Sequence, residues 1–182
     1  MLAKSVSRAY LIPGAKLCLF TDASDYFYAA LLTQVVDWDD SKPVHQQHHV
    51  PLASFSGEFK GSQRNWRIIE KEAYPIIRAC EEWEYMLLSP QGFSVYGDHA
   101  NLVHKFAPAA DGTSYSKATA LRVYNWLYLL GQFKVNEMLH IPGIDNAWAD
   151  QLSRWPNPLA GRQPNTRLNV LRGNPRTTQK HK

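Results

Sequence analysis

Two short apolar runs in this chain each end in an aspartate, and this feature constrains the fold more than any other. Residues 16–22 end at Asp22, and residues 93–97 form a run that leads directly into Asp98. Each run is typical of a buried strand that delivers an acidic side chain at its carboxyl end. Because the carboxyl ends of parallel strands meet at one edge of a sheet, we expect Asp22 and Asp98 to lie side by side.

The segments around these runs predict the remaining strands and helices. Residues 62–88 carry apolar side chains at helical spacing, and Pro75 should kink this helix just after Glu72 unless its first turn begins later. Further strands are predicted at 26–35, 50–56 and 134–141, a polar loop at 37–49, and helices at 99–106, 118–130 and 146–155. This order predicts an α/β fold with a mixed five-stranded sheet, three antiparallel strands followed by parallel crossovers, flanked by helices.

Charge is unevenly distributed along the 182 residues. Residues 156–182 carry six Lys or Arg and no acid, which leaves fourteen Lys or Arg against sixteen Asp or Glu in residues 1–155. We therefore divide the chain into an N-terminal connector (1–15), one folded domain (16–156) and a basic tail (157–182) that we expect to be disordered. The tail is either an arm that tracks nucleic acid or a solvated connector to a further domain, and the sequence leaves both open.

The sequence contains no uninterrupted apolar run of about 18 residues, and its first residues lack the basic-then-apolar order of a secretory signal. We therefore expect an intracellular protein that has no membrane partner and is not secreted. Cys18 and Cys80 have no metal-ligand spacing and lie in a strand-like and a helix-like run. This placement favours buried free thiols.

Four acids occupy informative positions: Asp22 and Asp98 at strand ends, Glu72 in the long helix and Asp150 in the last helix. Crowded carboxylates repel one another, and hard divalent cations relieve that repulsion. Two such ions about 3.5–4 Å apart can activate a water and stabilise the leaving oxygen of a phosphodiester. The pattern favours phosphodiester chemistry, although scattered acids are more often solvated surface groups.

Distinctive sequence motifs, which we call words, surround the four acids in order between about residues 17 and 156. They are Thr21-Asp22-Ala23-Ser24, Arg64-Asn65-Trp66 leading to Glu70-Lys71-Glu72, Val95-Tyr96-Gly97-Asp98-His99, and Ile141-Pro142-Gly143 leading to Ala149-Asp150-Gln151-Leu152-Ser153-Arg154. Together these words resemble the RNase H domain of gypsy-like long-terminal-repeat retrotransposon reverse transcriptases, which is part of a pol polyprotein.

This resemblance implies a ribonuclease H that cuts the RNA strand of RNA/DNA hybrids with two Mg²⁺ ions, for which Mn²⁺ can substitute. It implies that Asp22 bridges both ions and that Asp150 completes the site that holds the attacking water. It further implies that Glu72 and Asp98 hold the second ion.

Two glutamates compete for one of these positions. The second acid of the Glu-Lys-Glu word aligns with the active-site glutamate of the family, which selects Glu72. At about 100° per residue, Glu72 also lies on the inward face of the helix with Ile76, whereas Glu70 should project toward its far edge. Glu70 is better explained as an N-terminal acid that the helix dipole favours.

Two positions depart from the usual pattern of the family. His140 stands ten residues before Asp150, where the resemblance places a mobile-loop histidine in cellular RNases H and more often a tyrosine in gypsy-like elements. A histidine can shuttle protons near neutral pH, so His140 is a candidate fifth catalytic residue, and a strand-end histidine without a role is the alternative. Gly97 stands where the family usually has Thr, which removes a possible hydroxyl contact.

Hybrid recognition should use the backbone and the 2′-OH groups of the minor groove. The candidate contacts near the expected rim of the site are Ser24, Arg64, Asn65 and Arg67. Helix 118–130 is a further candidate, although its aromatic residues fit core packing better. The cluster His45, His48 and His49 contains transition-metal ligands but lacks partners at a set spacing, so a solvated loop is the favoured interpretation.

Two other classes of function remain open. One is an inactive retroelement-derived fragment with a structural or nucleic-acid-binding role. The other is an integrase- or transposase-type nuclease, which normally has three clustered acids. If the ribonuclease prediction holds, the partners are the polymerase and integrase portions of the same polyprotein, and the location is a cytoplasmic particle or the nucleus.

Overall fold

A computed structural model describes residues 5–6, 10–97 and 117–141 of the chain. Asp98 and Asp150, the brief helix predicted at 99–106, the closing helix predicted at 146–155 and the basic tail all lie outside these described residues.

One mixed sheet forms the centre of the fold. Its strands are β1 (Ser5–Val6), β2 (Lys16–Ala23), β3 (Phe27–Val35), β4 (Val50–Glu58), β5 (Phe93–Gly97) and β6 (Val135–His140). They lie in the order β1-β4-β3-β2-β5-β6. The β1–β4, β4–β3 and β3–β2 pairs are antiparallel, and the β2–β5 and β5–β6 pairs are parallel. The predicted five-stranded mixed sheet is therefore confirmed, and a two-residue strand extends its edge.

Helices cover one face of this sheet. They are α1 (Ile68–Glu82), α2 (Glu84–Leu87) and α3 (Lys117–Leu130). Short 3₁₀ helices lie at Gly61–Asn65 and at Val44–Gln46, and Val44 packs against the core of the opposite face. In the ranges described, no helix is long and apolar enough to cross a membrane.

The long helix begins later than the sequence predicts. Residues 61–65 form a 3₁₀ helix, and Trp66 and Arg67 are extended, so α1 starts at Ile68 instead of residue 62. Pro75 lies inside α1, and the helix continues through it to Glu82. The proline deprives the Lys71 carbonyl of its usual intrahelical donor without ending the helix.

Strand β2 is buried on both faces, which explains its nearly continuous apolar sequence. Leu17 and Leu19 pack into the main core with Ile76 of α1, while Cys18 and Phe20 pack into a second core on the opposite face. Cys18 and Cys80 are both buried, as predicted, and burial raises the pKa of each thiol to about 12.

Aromatic rings join α1 and α3 to the sheet. The ring of Trp66 lies 5.5 Å from that of Trp126 in α3 and 5.2 Å from that of Tyr74 in α1. Tyr74 in turn contacts Tyr28 of β3 at 4.9 Å between ring centroids. Trp126 therefore serves core packing, as the sequence favoured.

Part of the predicted connector contacts the folded domain. The side chain of Gln34 in β3 accepts a hydrogen bond from the Ile12 amide at 2.8 Å and donates one to the Tyr10 carbonyl at 2.8 Å. Strand β1 also pairs with β4. The domain boundaries at residues 16 and 156 stay predictions.

The main core can be tested with two isoleucines of the same helix. Ile76 is 0% exposed and Ile68 is 66% exposed. We expect Ile76→Ala to lower the free energy of unfolding by about 2–5 kcal/mol, because it removes buried methyl groups and leaves a cavity. The control Ile68→Ala should change it by no more than about 0.5 kcal/mol. Urea denaturation measures both, and equal losses would contradict this placement of the core.

Candidate active site

Three neighbouring strands end at the same edge of the sheet. Thr21 of β2 pairs with Gly97 of β5, and Gly97 pairs with His140 of β6. Asp22 follows Thr21 directly and is half-buried, while His140 is exposed. The structure thus places two predicted site residues, Asp22 and His140, at one end of the sheet, beside the strand whose next residue in sequence is Asp98.

Glycine at position 97 leaves room for the neighbouring strand. A Cβ atom there would lie 3.3 Å from the Thr21 hydroxyl oxygen, which is tighter than ordinary van der Waals contact. Thr21 itself is 4% exposed. The hydroxyl of Thr21 on β2 therefore occupies the space beside Gly97. The resemblance leads one to expect a threonine at position 97 itself.

Glu72 is held by α1, which packs against β2 and β3. Glu72 is 8% exposed, and Glu70 is 2% exposed. Both glutamates are therefore buried, which the sequence prediction did not anticipate for Glu70. Burial alone does not separate the two.

The contacts of Glu70 give it a structural role at the start of the helix. Glu70 is the third residue of α1, and its carboxylate accepts a hydrogen bond from the Arg67 amide at 3.0 Å. Its other oxygen pairs with Arg122 of α3. The predicted role of Glu70 as an N-terminal acid is confirmed, and its carboxylate already has two structural partners.

Arg122 links this pair to the aromatic residues. Its guanidinium carbon lies 4.5 Å from the centre of the Trp66 ring, a cation–π contact. A buried carboxylate is stable only when paired and hydrogen-bonded, and Arg122 with the Arg67 amide meets that need. The partner of Glu70 stands 52 residues away in sequence, and no local pattern could have revealed it.

The four candidate substrate contacts lie on two segments. Ser24 is exposed in the turn between β2 and β3, where its hydroxyl accepts a hydrogen bond from the Phe27 amide at 3.0 Å. Arg64, Asn65 and Arg67 are exposed just before α1. Arg64 binds the Phe59 carbonyl at 3.1 Å and the Glu58 carboxylate at 2.5 Å. Their contact with a substrate stays a prediction.

The donor set agrees in chemistry with the predicted ions. Asp22 and Glu72 supply carboxylate oxygens, which are the ligands that Mg²⁺ and Mn²⁺ prefer. Within the described part of the chain, no group of three or more His, Cys, Asp or Glu is placed to hold a metal ion. Two of the four predicted ligands, Asp98 and Asp150, lie outside that part.

Lys71 is a functional candidate that the sequence prediction missed. Its ammonium group donates to the Asp25 carbonyl at 2.9 Å and lies 3.5 Å from the Asp25 carboxylate. The signal in the sequence was a lysine enclosed by two acids in a helix with a buried face. Its partner in the hairpin, 46 residues earlier, was not deducible.

The histidine cluster of the polar loop is divided by the fold. His45 and His48 are exposed, whereas His49 is partly buried with its ring edge-on to Phe20 at 5.2 Å. Its Nε2 donates to the Val44 carbonyl at 2.6 Å, and a neutral ring then accepts at Nδ1 from the Thr33 hydroxyl at 2.9 Å. The prediction of a solvated loop is therefore wrong at His49, because its ring packs against the sheet.

A mixed sheet whose neighbouring strands end near an acid, crossed by a helix that holds a buried glutamate, defines an RNase H-like α/β domain. The sequence matches the RNase H-like domain found in reverse transcriptase over residues 13–133. The chain belongs to this family. The resemblance to a retrotransposon RNase H domain is thereby confirmed, while the gypsy-like type stays a prediction.

Relatives and solved structures agree with this assignment. The chain is 31% identical over 140 residues to the transposon Tf2-3 and Tf2-4 polyproteins of Schizosaccharomyces pombe, covering 76% of this chain. It spans 9% of the length of these relatives. A foamy viral protease-reverse transcriptase in complex with double-stranded DNA shares the fold, with a TM-score of 0.51 and 15% identity over 70% of this chain and 20% of that chain.

His49 predicts a pH-dependent stability. Burial lowers its pKa below the ordinary value of 6.5, and nearby His48 lowers it further. Above about pH 6.5 the ring is neutral in both the folded and unfolded chain; as the pH falls, the unfolded chain binds the proton first. The contribution of His49 to stability should therefore be full at pH 8 and decline as the pH falls below about 7.

Urea denaturation across this pH range provides the measurement. Wild type should lose more stability on acidification than His49→Gln, which cannot titrate at that position. The control His45→Gln, at an exposed position of the same loop, should follow wild type. Parallel pH profiles for wild type and His49→Gln would show that the ring does not carry this dependence.

Proposed function

We propose that this domain is a metal-dependent endonuclease that hydrolyses the RNA strand of RNA/DNA hybrids during reverse transcription. The observation that supports this most is the shared edge of β2, β5 and β6, where Asp22 and His140 lie at the ends of the two strands that flank β5. Membership of the reverse-transcriptase RNase H-like family gives that edge its chemical interpretation.

In this proposal Asp22, Glu72, Asp98 and Asp150 hold two Mg²⁺ ions, with Mn²⁺ as a substitute. Bound divalent ions would supply an activated water and stabilise the charge that develops on the phosphodiester. The protein positions the carboxylates. Asp22 is fixed by pairing with Ala29 across the β2–β3 hairpin, and Glu72 by the packing of α1 on β2.

His140 would act on a proton and not on the ions. It is exposed at the end of β6, so a substrate or water molecule can reach its ring. Histidine side chains commonly serve as general acids or bases in catalysis, which suits a role in proton transfer or product release. We expect His140→Ala to slow turnover without abolishing it.

The substrate would be recognised by shape and by the 2′-OH groups of its minor groove. Ser24, Arg64, Asn65 and Arg67 are the proposed contacts, and all four are exposed. The polymerase and integrase portions of a longer polyprotein are the proposed partners, because the chain spans 9% of its polyprotein relatives. The expected location is a cytoplasmic particle or the nucleus.

Cleavage of a labelled RNA/DNA hybrid tests the proposal directly. With Mg²⁺, the chain should cut the RNA strand, and Asp22→Asn should slow cutting by about 100-fold or more, because even residues that only support metal ligands contribute about 10- to 100-fold. The control Asp37→Asn, an exposed aspartate of the loop at 37–49, should cut at the wild-type rate. A folded, metal-saturated wild type that leaves the hybrid intact would favour the inactive-fragment alternative.

The two buried glutamates provide a second, internal test. Glu70→Ala removes the partner of Arg122 and of the Arg67 amide, so it should lower the free energy of unfolding by about 2–3 kcal/mol. It should retain most of the cleavage at a temperature where the protein stays folded. Glu72→Ala should instead abolish nearly all cleavage under conditions in which the protein is folded. The opposite pattern would assign the catalytic role to Glu70.

A further inference from the structure

Lys71 is a buried cation between two acids, yet its contact is with neither. Its side chain is 8% exposed, and its Nζ lies 2.9 Å from the carbonyl oxygen of Asp25. The Asp25 carboxylate is 3.5 Å away and mostly exposed, so it is the weaker partner. The ring of Phe59 lies beneath the ammonium at 5.9 Å.

The residue that Lys71 holds belongs to a tightly closed turn. Asp25 follows Asp22 by three positions in the hairpin between β2 and β3. The Ser24 amide donates to the Phe27 carbonyl at 2.8 Å, and the Phe27 amide donates to the Ser24 hydroxyl at 3.0 Å. The carbonyl that accepts from Lys71 is therefore part of a closed unit that continues directly from the end of β2.

Lys71 thus joins the segments that carry two of the proposed ligands. It precedes Glu72 directly in α1, and it binds the turn that follows Asp22. A buried ammonium is costly unless its donors are satisfied, so the lysine favours those positions of helix and hairpin in which the carbonyl stays within reach. A main-chain acceptor fixes the backbone itself, which a contact between two side chains does not.

We propose that Lys71 is a positioning residue that sets the placement of Asp22 relative to Glu72. This inference rests on the proposed function, because it gives that placement a purpose at the metal site. Lys71 does not touch the substrate or the ions in this proposal. It acts through the carbonyl of Asp25.

Three variants separate the possible contributions of the contact. Lys71→Met removes the donors but keeps a long apolar stem, and Lys71→Arg keeps donors in the same region. Asp25→Ala removes the carboxylate and leaves the carbonyl acceptor in place. The full chain is used throughout, and urea denaturation establishes the conditions in which each variant is folded.

The first readout is hydrogen exchange, which does not depend on activity. The amides of Ser24 and Phe27 should exchange about tenfold faster in folded Lys71→Met, because the turn has lost a charge-assisted hydrogen bond. The amide of Leu32, in the centre of β3, should be unchanged. Lys71→Arg should restore much of the protection, and Asp25→Ala should remain close to wild type. Unchanged exchange of Ser24 and Phe27 in Lys71→Met would overturn the proposal.

The second readout is the dependence on divalent ions. Mn²⁺ binding measured by calorimetry should weaken by about tenfold in Lys71→Met, as expected when a residue that supports metal ligands is lost. The Mg²⁺ concentration for half-maximal hybrid cleavage should rise by a similar factor, with a smaller change in the rate at saturating Mg²⁺. An unchanged Mn²⁺ affinity would overturn the role of Lys71 at the site even if exchange is faster.

The two proposals fail in distinguishable ways. A folded wild type that neither binds Mn²⁺ nor cleaves the hybrid contradicts the proposed function, and the role of Lys71 at a metal site is overturned with it. A wild type that cleaves, beside a Lys71→Met variant with the same exchange, Mn²⁺ affinity and Mg²⁺ dependence, overturns only the positioning role.

Discussion

The parallel pairing of β2 with β5 is the constraint on which the rest of the structure depends. Parallel neighbours cannot be joined by a tight turn. After β2 the chain therefore runs through β3 and β4 and then returns along α1 before it enters β5. The same pairing brings the ends of two strands together, with Asp22 following one and the sequence position of Asp98 following the other. The crossover helix packs on β2, and its Lys71 contacts the turn that follows Asp22.

Three consecutive charged residues in α1 are buried, and their burial costs free energy unless each charge has a partner. Glu70 is compensated by Arg122 of α3, and Lys71 by the turn after β2. Each contact fixes α1 to a different neighbour. The Glu-Lys-Glu motif therefore provides the contacts that attach the helix to α3 and to the hairpin. It also contains a candidate metal ligand.

Sequence reasoning succeeded where burial alone determines the structure. Strand β5 has its predicted bounds at 93–97, because its shortness, its aromatic and β-branched residues and its flanking turn residues together favour a strand over a helix. It failed at the start of α1, where the polar residues 61–65 form a 3₁₀ helix that lacks a distinct pattern. It also missed the burial of Glu70 and the partners of Lys71 and His49, because these depend on contacts with residues far away in sequence.

This division has a consequence for the interpretation of motifs in such domains. A sequence motif that matches a family is usually assigned to catalysis. In this motif, however, Glu70 has a structural role and Lys71 contacts the backbone. A chain can therefore keep much of the word through selection for a stable helix after its chemistry is lost. Evidence of activity must come from residues whose burial the fold does not require. Asp22 and His140 at the open edge of the sheet are the residues here that best meet this condition.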